Sequence, residues 1–213
     1  MKSGRLKSVN VGTVREFEFN GKPATSAIWK APAPGRVKVS GVNLAGDDQA
    51  DRNVHGGPDK AVYAYALEDY KWWEQELGRS VKPGEFGENF TTEGIDVSEA
   101  LVGERWKIGT AEFEVAGPRV PCWKLGSKMG DNLFIKRFTD ALRSGAYLRI
   151  VVEGEVGAGD EIQVSSKPDH DLTVRDVFRI FSKDRGELQR FVDTPELAES
   201  WRSWAKKILD KAI

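Results

Sequence analysis

Hydrophobic and polar positions alternate in short runs through most of the chain. Runs rich in branched and aromatic residues at 6–11, 25–29, 61–67, 105–108, 111–115, 147–152 and 161–164 are broken by glycine and other turn formers, the pattern of strands in a barrel or sandwich. Two stretches change to a three- and four-residue period. Leu67, Tyr70, Trp73 and Leu77 predict a helix over 68–77 that stops at Gly78; Phe134, Phe138 and Leu142 predict another over 132–143, capped by Asp131 and ended by Gly145.

After Ser165 the pattern becomes helical and nearly free of glycine. Ser165-Ser166-Lys167-Pro168-Asp169 reads as a linker. Beyond it three short helices are expected: 174–181, capped by Thr173 with Asp176 three residues on; 185–192, opened by Asp184; and 196–210, with Thr194 as cap and Pro195 at the first helical position. Phe178, Phe181, Leu188, Phe191, Leu197, Trp201, Trp204 and Ile208 form their shared apolar face, too large to leave in water. The expected class is therefore mainly β with α, a β-barrel with short flanking helices over 1–164 and a three-helix module over 165–213. A helical appendage of this kind commonly serves dimerisation or docking, so a homodimer is expected.

Composition narrows the partners. With 32 Lys+Arg against 33 Asp+Glu, the net charge of -1 provides no general field for a nucleic-acid polymer or an anionic membrane, so any anion site is local. A chain of 213 residues, 39% hydrophobic and with seven tryptophans, can bury a sizeable core. No run approaches the ~18 apolar residues of a membrane span. The first residues lead into strand-like sequence rather than an apolar signal core, and one cysteine permits no internal disulfide; a cytoplasmic protein is expected.

Three segments could carry chemistry. Gly117-Pro118-Arg119-Val120-Pro121-Cys122-Trp123-Lys124-Leu125 holds the lone cysteine on a proline-stiffened approach, and Arg119 and Lys124 place positive charge close to the thiol. That charge favours thiolate, the form needed in a nucleophile or a soft-metal ligand; the other reading is a small buried hydrophobe. Around His55, the segment 51–60 sets Gly56 and Gly57 between Arg52 and Lys60, directly before an apolar strand. Paired glycines let backbone N–H groups converge on an anion, and they serve equally in a tight turn. The segment 86–94 offers Glu88, Asn89, Thr91 and Thr92, donors and acceptors suited to the edge of a heterocycle or to the loop's own backbone. His170, between two aspartates, reads as solvated. Neither the G-x-G-x-x-G nor the G-x-x-x-x-G-K-[ST] pattern is present, and two histidines are too few for a histidine-rich zinc site.

Taken in order, VHGGPDKAVYAY, FGENFTTEG and GPRVPCWKL, with the leader GVNLAGDDQADRN, resemble the MOSC domain family, and in particular its stand-alone YiiM-type branch with a helical C-terminal extension. The resemblance implies a β-barrel that binds molybdenum cofactor, a pterin dithiolene with a terminal phosphate, and implies that Cys122 is the protein ligand to molybdenum. It further implies reduction of N-hydroxylated compounds, including N-hydroxylaminopurine-type base analogues, to amines, with electrons from an external reductase. Carried over by position, His55, Gly56, Gly57 and Lys60 would contact cofactor phosphate or pterin. Arg119 would be the cationic partner near the metal, and Asn89 and Thr91 would meet the pterin edge. His55, Glu88, Asp59 and a metal-bound water are the proton donors to weigh. A cofactor carrier or a persulfide-handling module would use the same cysteine without turnover.

Overall fold

A computed structural model describes residues 3–50 and 56–211. The strands among them are β1 (Ser3–Val11), β2 (Arg15–Phe19), β3 (Lys22–Ser26), β4 (Ala31–Pro32), β5 (Arg36–Ser40), β6 (Asn43–Leu44), β7 (Val62–Ala66), β8 (Phe90–Glu93), β9 (Arg105–Ile108), β10 (Ala111–Pro118), β11 (Ala146–Val152), β12 (Gly154–Gly157) and β13 (Glu161–Ser166). The helices are α1 (Leu67–Leu77), α2 (Trp123–Met129), α3 (Phe134–Ala141), α4 (Val174–Ser182), α5 (Gln189–Asp193) and α6 (Glu199–Leu209).

Seven strands close into a mixed barrel in the order β13-β9-β10-β11-β7-β8-β1, with β1 returning antiparallel to β13 through the pair Ser3↔Gln163. Closure leaves these strands no free edge. The β7–β8 pairing is parallel, and a parallel neighbour needs a crossover; α1 and the segment that follows it provide one. Inward side chains such as Leu6, Phe90, Trp106, Phe113, Leu148 and Ile162 are wholly buried, so the barrel interior is packed core and any site lies outside it.

A second core layer is aromatic. Trp73 from α1, Phe86, Phe134 and Phe138 from α3, and Phe178 from α4 pack against Tyr63 and Tyr65 of β7. Each ring buries ~150–250 Å², and the polar ends are satisfied: the Trp73 indole donates to the Tyr65 hydroxyl at 2.6 Å, which donates to the Arg143 carbonyl at 2.8 Å.

The C-terminal helices form a third cluster around Leu172, Val177, Leu188, Phe191 and Leu197. The Thr173–Asp176 capping box forms as the sequence indicates. α4 also reaches inward: Val174 enters the barrel core, Phe178 the aromatic layer, and Val174 N–H donates to Ala100 O at 3.0 Å.

Several local expectations are corrected. Helix α3 is shorter than 132–143 and ends where Leu142 turns left-handed at φ 53°, ahead of Gly145. Asp131 accepts from Leu133 N–H at 2.8 Å, but Leu133 holds the cap position. Stretch 185–192 divides into a 3-10 turn and α5. Thr194 donates its hydroxyl back to Arg190 O instead of capping, so α6 begins only at Glu199. The 25–29 run is largely the approach to the next segment, because β3 belongs to a hairpin with β2 closed by Asn20-Gly21, both at positive φ. Helix α2, seven residues long, is too short to show a period. Half of the polar 86–94 cluster is the barrel strand β8.

Candidate functional site

Strand β10 delivers the cysteine. It pairs with β11 as far as Pro118↔Ala146, and the chain then runs through Arg119 and Val120 to Pro121 and Cys122. Cys122 takes the cap position of α2 in extended conformation, and its carbonyl accepts from Leu125 N–H at 2.9 Å. α2 is pinned by Leu125, buried in the aromatic layer, and by Lys128, whose Nζ donates to the carbonyls of Ile28, at 3.0 Å, and Gly84. The thiol thus stands half-buried on a backbone that cannot drift.

On one side of Cys122 lies a small polar cleft of about 90 Å³. Arg119, Lys60, Lys124, Tyr63 and Tyr147 line it together with a buried ion pair, Lys30–Asp47. Asp47 also accepts from Gly12 N–H at 2.8 Å and from the Asn89 amide at 2.9 Å. Burial pulls the Lys30 pKa below that of an ordinary lysine, against the opposing field of Asp47. Burial likewise lowers Lys60, against Asp59. Close approach at the cleft wall demands glycine at 87: a Cβ there would stand 2.6 Å from Ile28 Cγ1, and φ is 79°.

Arg119 is the most informative group in this cleft. Its side chain is buried, with the Cζ atom 5.2 Å from the Tyr63 ring and 5.9 Å from Phe138. Burial opposes its charge, yet Tyr63, Tyr147 and Cys122 around it hold the pKa above the ordinary arginine value. The guanidinium therefore stays ionised beside the thiol. Its Nη1 is buried with no hydrogen-bond partner among the described residues, a cost that an anion from the cleft would remove.

The structure brings Cys122, Arg119, Lys60 and Asn89 to one cleft, but Asn89 is not a free edge reader. Its two amide hydrogens go to Asn10 O and Asp47, and its carbonyl accepts from Tyr63 N–H, so it fixes Asp47 in place. Thr91 does not line the cleft; wholly buried, it donates to Glu88 at 3.0 Å and accepts from the Asn10 amide. Glu88 is enclosed too, accepting from Tyr70, Thr91 and the N–H groups of Gly84 and Phe86. Burial raises its pKa, but nothing from the cleft reaches it. Gly56 and Gly57 are half-buried and lead into the turn Pro58–Lys60 that carries Lys60 to the cleft. Arg52 and His55 lie outside the described residues. His170 is half-buried instead of solvated, accepting from Leu172 N–H at 3.1 Å and facing Glu196. Lys30, Asp47, Tyr63 and Tyr147 are not singled out by sequence; of these Asp47 carries a signal through its place in the leader segment before residue 55, and Tyr63 through its place in the segment VHGGPDKAVYAY.

A second cleft, of about 410 Å³, opens on the other side of the thiol. Its walls are Pro118, Val120 and Pro121 from the cysteine approach and Phe181, Trp201 and Trp204 from the helical tail. Lys60, Cys122 and Tyr147 line both clefts, so the sulfur stands at their junction. Asp59, on the second cleft, is ion-paired with Arg149. Among the described residues, no group of three or more His, Cys, Asp or Glu side chains converges to hold a metal, and no helix is long and apolar enough to cross a membrane.

The family described as MOSC domain matches residues 51–163. YflK of Bacillus subtilis, itself described as uncharacterized, is 34% identical over 209 residues, covering 97% of this chain and 95% of its own. A Gibberella moniliformis protein named Reductase is 29% identical over 202 residues, covering 92% of this chain and 35% of its own length. The crystal structure of YiiM from Geobacillus stearothermophilus superposes with a TM-score of 0.79 at 28% identity, over 96% of this chain and 98% of that one.

Proposed function

The chain belongs to the MOSC domain family and is of the YiiM type, and from this and the two clefts at Cys122 we propose a molybdenum cofactor-dependent reductase. It converts N-hydroxylated compounds, N-hydroxylaminopurine-type base analogues among them, to amines. The observation that carries the reading is the half-buried Cys122 thiol beside the buried Arg119, whose Nη1 has no hydrogen-bond partner among the described residues, on a polar cleft. The relative named Reductase, which extends well beyond the matched region, supports redox chemistry supplied with electrons from elsewhere.

The residues fit the cofactor. A thiolate is the soft ligand that molybdenum accepts beside dithiolene sulfur. Arg119 Nη1 lacks the partner that an anionic group would supply, and Lys60 and Lys124 add charge on the same cleft. Asp47, with a lone pair left after its three bonds, can accept from the N–H edge of a pterin. When bound, the cofactor supplies a two-electron redox centre. The balance is R–NHOH plus two electrons and two protons to R–NH2 and water, with the electrons from an external reductase. Of the groups that can hold a proton, Glu88 is enclosed, Asp59 is bound by Arg149, and Lys60, its pKa lowered by burial, lines both clefts. Lys60 is thus the best placed of the described side chains to hold a proton at the thiol.

The test is metal analysis and turnover of N-hydroxylaminopurine, with a reduced viologen as electron donor, on protein from a cofactor-competent host. The expected result is molybdenum in near-stoichiometric amount and turnover that Cys122→Ser abolishes. Molybdenum retained with no turnover in the unaltered protein overturns the reductase in favour of a carrier; no retained molybdenum overturns both.

A further inference from the structure

Resting on the cofactor reading of the polar cleft, we propose that the β2–β3 hairpin is a flap that opens to let the cofactor in and is latched shut on Trp123, the residue after Cys122. The cleft as it stands holds about 90 Å³, well under the ~300–1,000 Å³ of pockets that enclose a small-molecule ligand. A pterin enters only if a wall moves. One wall is formed by Ser26, the last residue of β3, with Ala27 and Ile28 behind it, so the hairpin is continuous with the cleft. Lys128 holds the Ile28 carbonyl, which leaves Ser26 and Ala27 as the part of the wall that travels with the hairpin.

The hairpin is arranged to move as a unit. It is a two-stranded sheet of its own, separate from the closed barrel and in register from Arg15↔Ser26 to Phe19↔Lys22, and such a pair is only marginally stable alone. It leaves the barrel beyond the last β1–β4 pair, Val11↔Ala31, and one carboxylate ties both stems: Asp47 accepts from Gly12 N–H at 2.8 Å and from the Lys30 ammonium. The stems lie close together, since a Cβ on Gly12 would stand 2.6 Å from Trp29 O. Clamped at this root, the hairpin can pivot at the exposed Thr13 and Val14 without pulling on the barrel.

Its seat is aromatic. Phe17 and Phe19, alternate residues and therefore on one face of β2, meet Trp123 with ring centroids 5.8 and 4.5 Å away, and Phe17 also packs edge-on to Trp29 at 4.8 Å. Trp123 opens α2, which Leu125 and Lys128 hold still, so the latch sits on a fixed element. The seat is also shallow. Trp123 remains 42% exposed, and an open groove of about 510 Å³ lies beside the contact, lined by Phe19, Asn20, Lys22, Pro23, Ala24 and Trp123. Ring pairs of this kind shift an equilibrium by about two- to tenfold each, which favours the closed flap while leaving local opening far easier than unfolding of the barrel.

Two measurements test this on the unaltered chain and on the double variant Phe17→Ala with Phe19→Ala, whose rings do not line the cleft: hydrogen exchange on the cofactor-free protein, and release of molybdenum from the loaded protein, followed by metal analysis after gel filtration. In the unaltered chain the amides of β2 and β3 are expected to exchange at least tenfold faster than those of β7 and β10. In the double variant they are expected to exchange at least tenfold faster again with β7 and β10 unchanged, and molybdenum is expected to leave at least tenfold faster. Replacing residues 16–25 by Gly-Gly, which joins the paired Arg15 and Ser26, removes the flap outright and is expected to release molybdenum at least as fast as the double variant. Hairpin amides that exchange only together with the barrel, or release unchanged in the variants, overturn the proposal. If the unaltered protein holds no molybdenum, the cofactor reading is what fails, and the exchange pattern alone then decides whether the hairpin opens as a unit.

Discussion

The two clefts that meet at Cys122 are built from opposite kinds of interaction. The aromatic cleft is the exposed edge of a hydrophobic cluster: Trp201 and Trp204 that wall it also pack on Phe191, Leu188 and Leu197 beneath. Its walls stabilise the fold, whether or not anything binds. The polar cleft holds a buried ion pair, two cations with pKa values lowered by burial, and a guanidinium nitrogen with no partner among the described residues. Such groups contribute little to stability and can oppose it, so their arrangement points to a ligand. Binding sites are recognisable by what folding alone would not favour.

The comparison can be broken most directly on the aromatic side. Phe191→Ala removes a wholly buried ring beneath the cleft wall and is expected to cost ~3–5 kcal/mol in urea unfolding; a cost near zero would mean that the tail is not part of the cooperative fold. On the polar side the effect is smaller. Arg119→Met is expected to change the stability of the cofactor-free protein by less than ~1 kcal/mol, since removal of the unsatisfied Nη1 is opposed by loss of the favourable surroundings of Tyr63 and Tyr147. The same variant is expected to retain about tenfold less molybdenum, by metal analysis, for want of one charge-assisted bond. A larger loss of stability would instead make Arg119 a structural residue.

The smallest effect concerns the anchor of α2. Burial lowers Lys128 to about 8, with Glu88 and Glu85 resisting. The unfolded chain keeps this proton up to its ordinary value of 10.5, so between about 8 and 10.5 the unfolded state binds more protons and the contribution of Lys128 to stability rises with pH. Below that window both states are protonated and the contribution is flat. Urea unfolding at pH 8 and pH 10 is expected to show this rise in the unaltered protein and a smaller one in Lys128→Met.

Parts of this site were legible in the residues. Arg119 and Lys124 lie within three positions of Cys122, and proximity in sequence carried them to the same cleft. The Thr173–Asp176 capping box was equally local. Asn89 and Thr91 were read together as polar loop residues, yet strand pairing sends Thr91 inward and leaves Asn89 to hold Asp47, 42 positions away. Nothing local distinguishes the two. The aromatic cleft was not foreseen: its tryptophans are at helical spacing and read as packing, which they also are.

By itself the sequence determined which face of each long element is buried, where α1 and α4 begin, and that one thiol is flanked by cations, because side-chain period and capping chemistry act over a few residues. Tertiary structure decided that Ser3 meets Gln163 to close the barrel. It also decided that Lys30 finds Asp47, and that residues 118–121 face residues 181–204 across an open cleft. Those contacts join segments far apart along the chain; they form only where the packing of the whole offsets the entropy of closing the intervening loops.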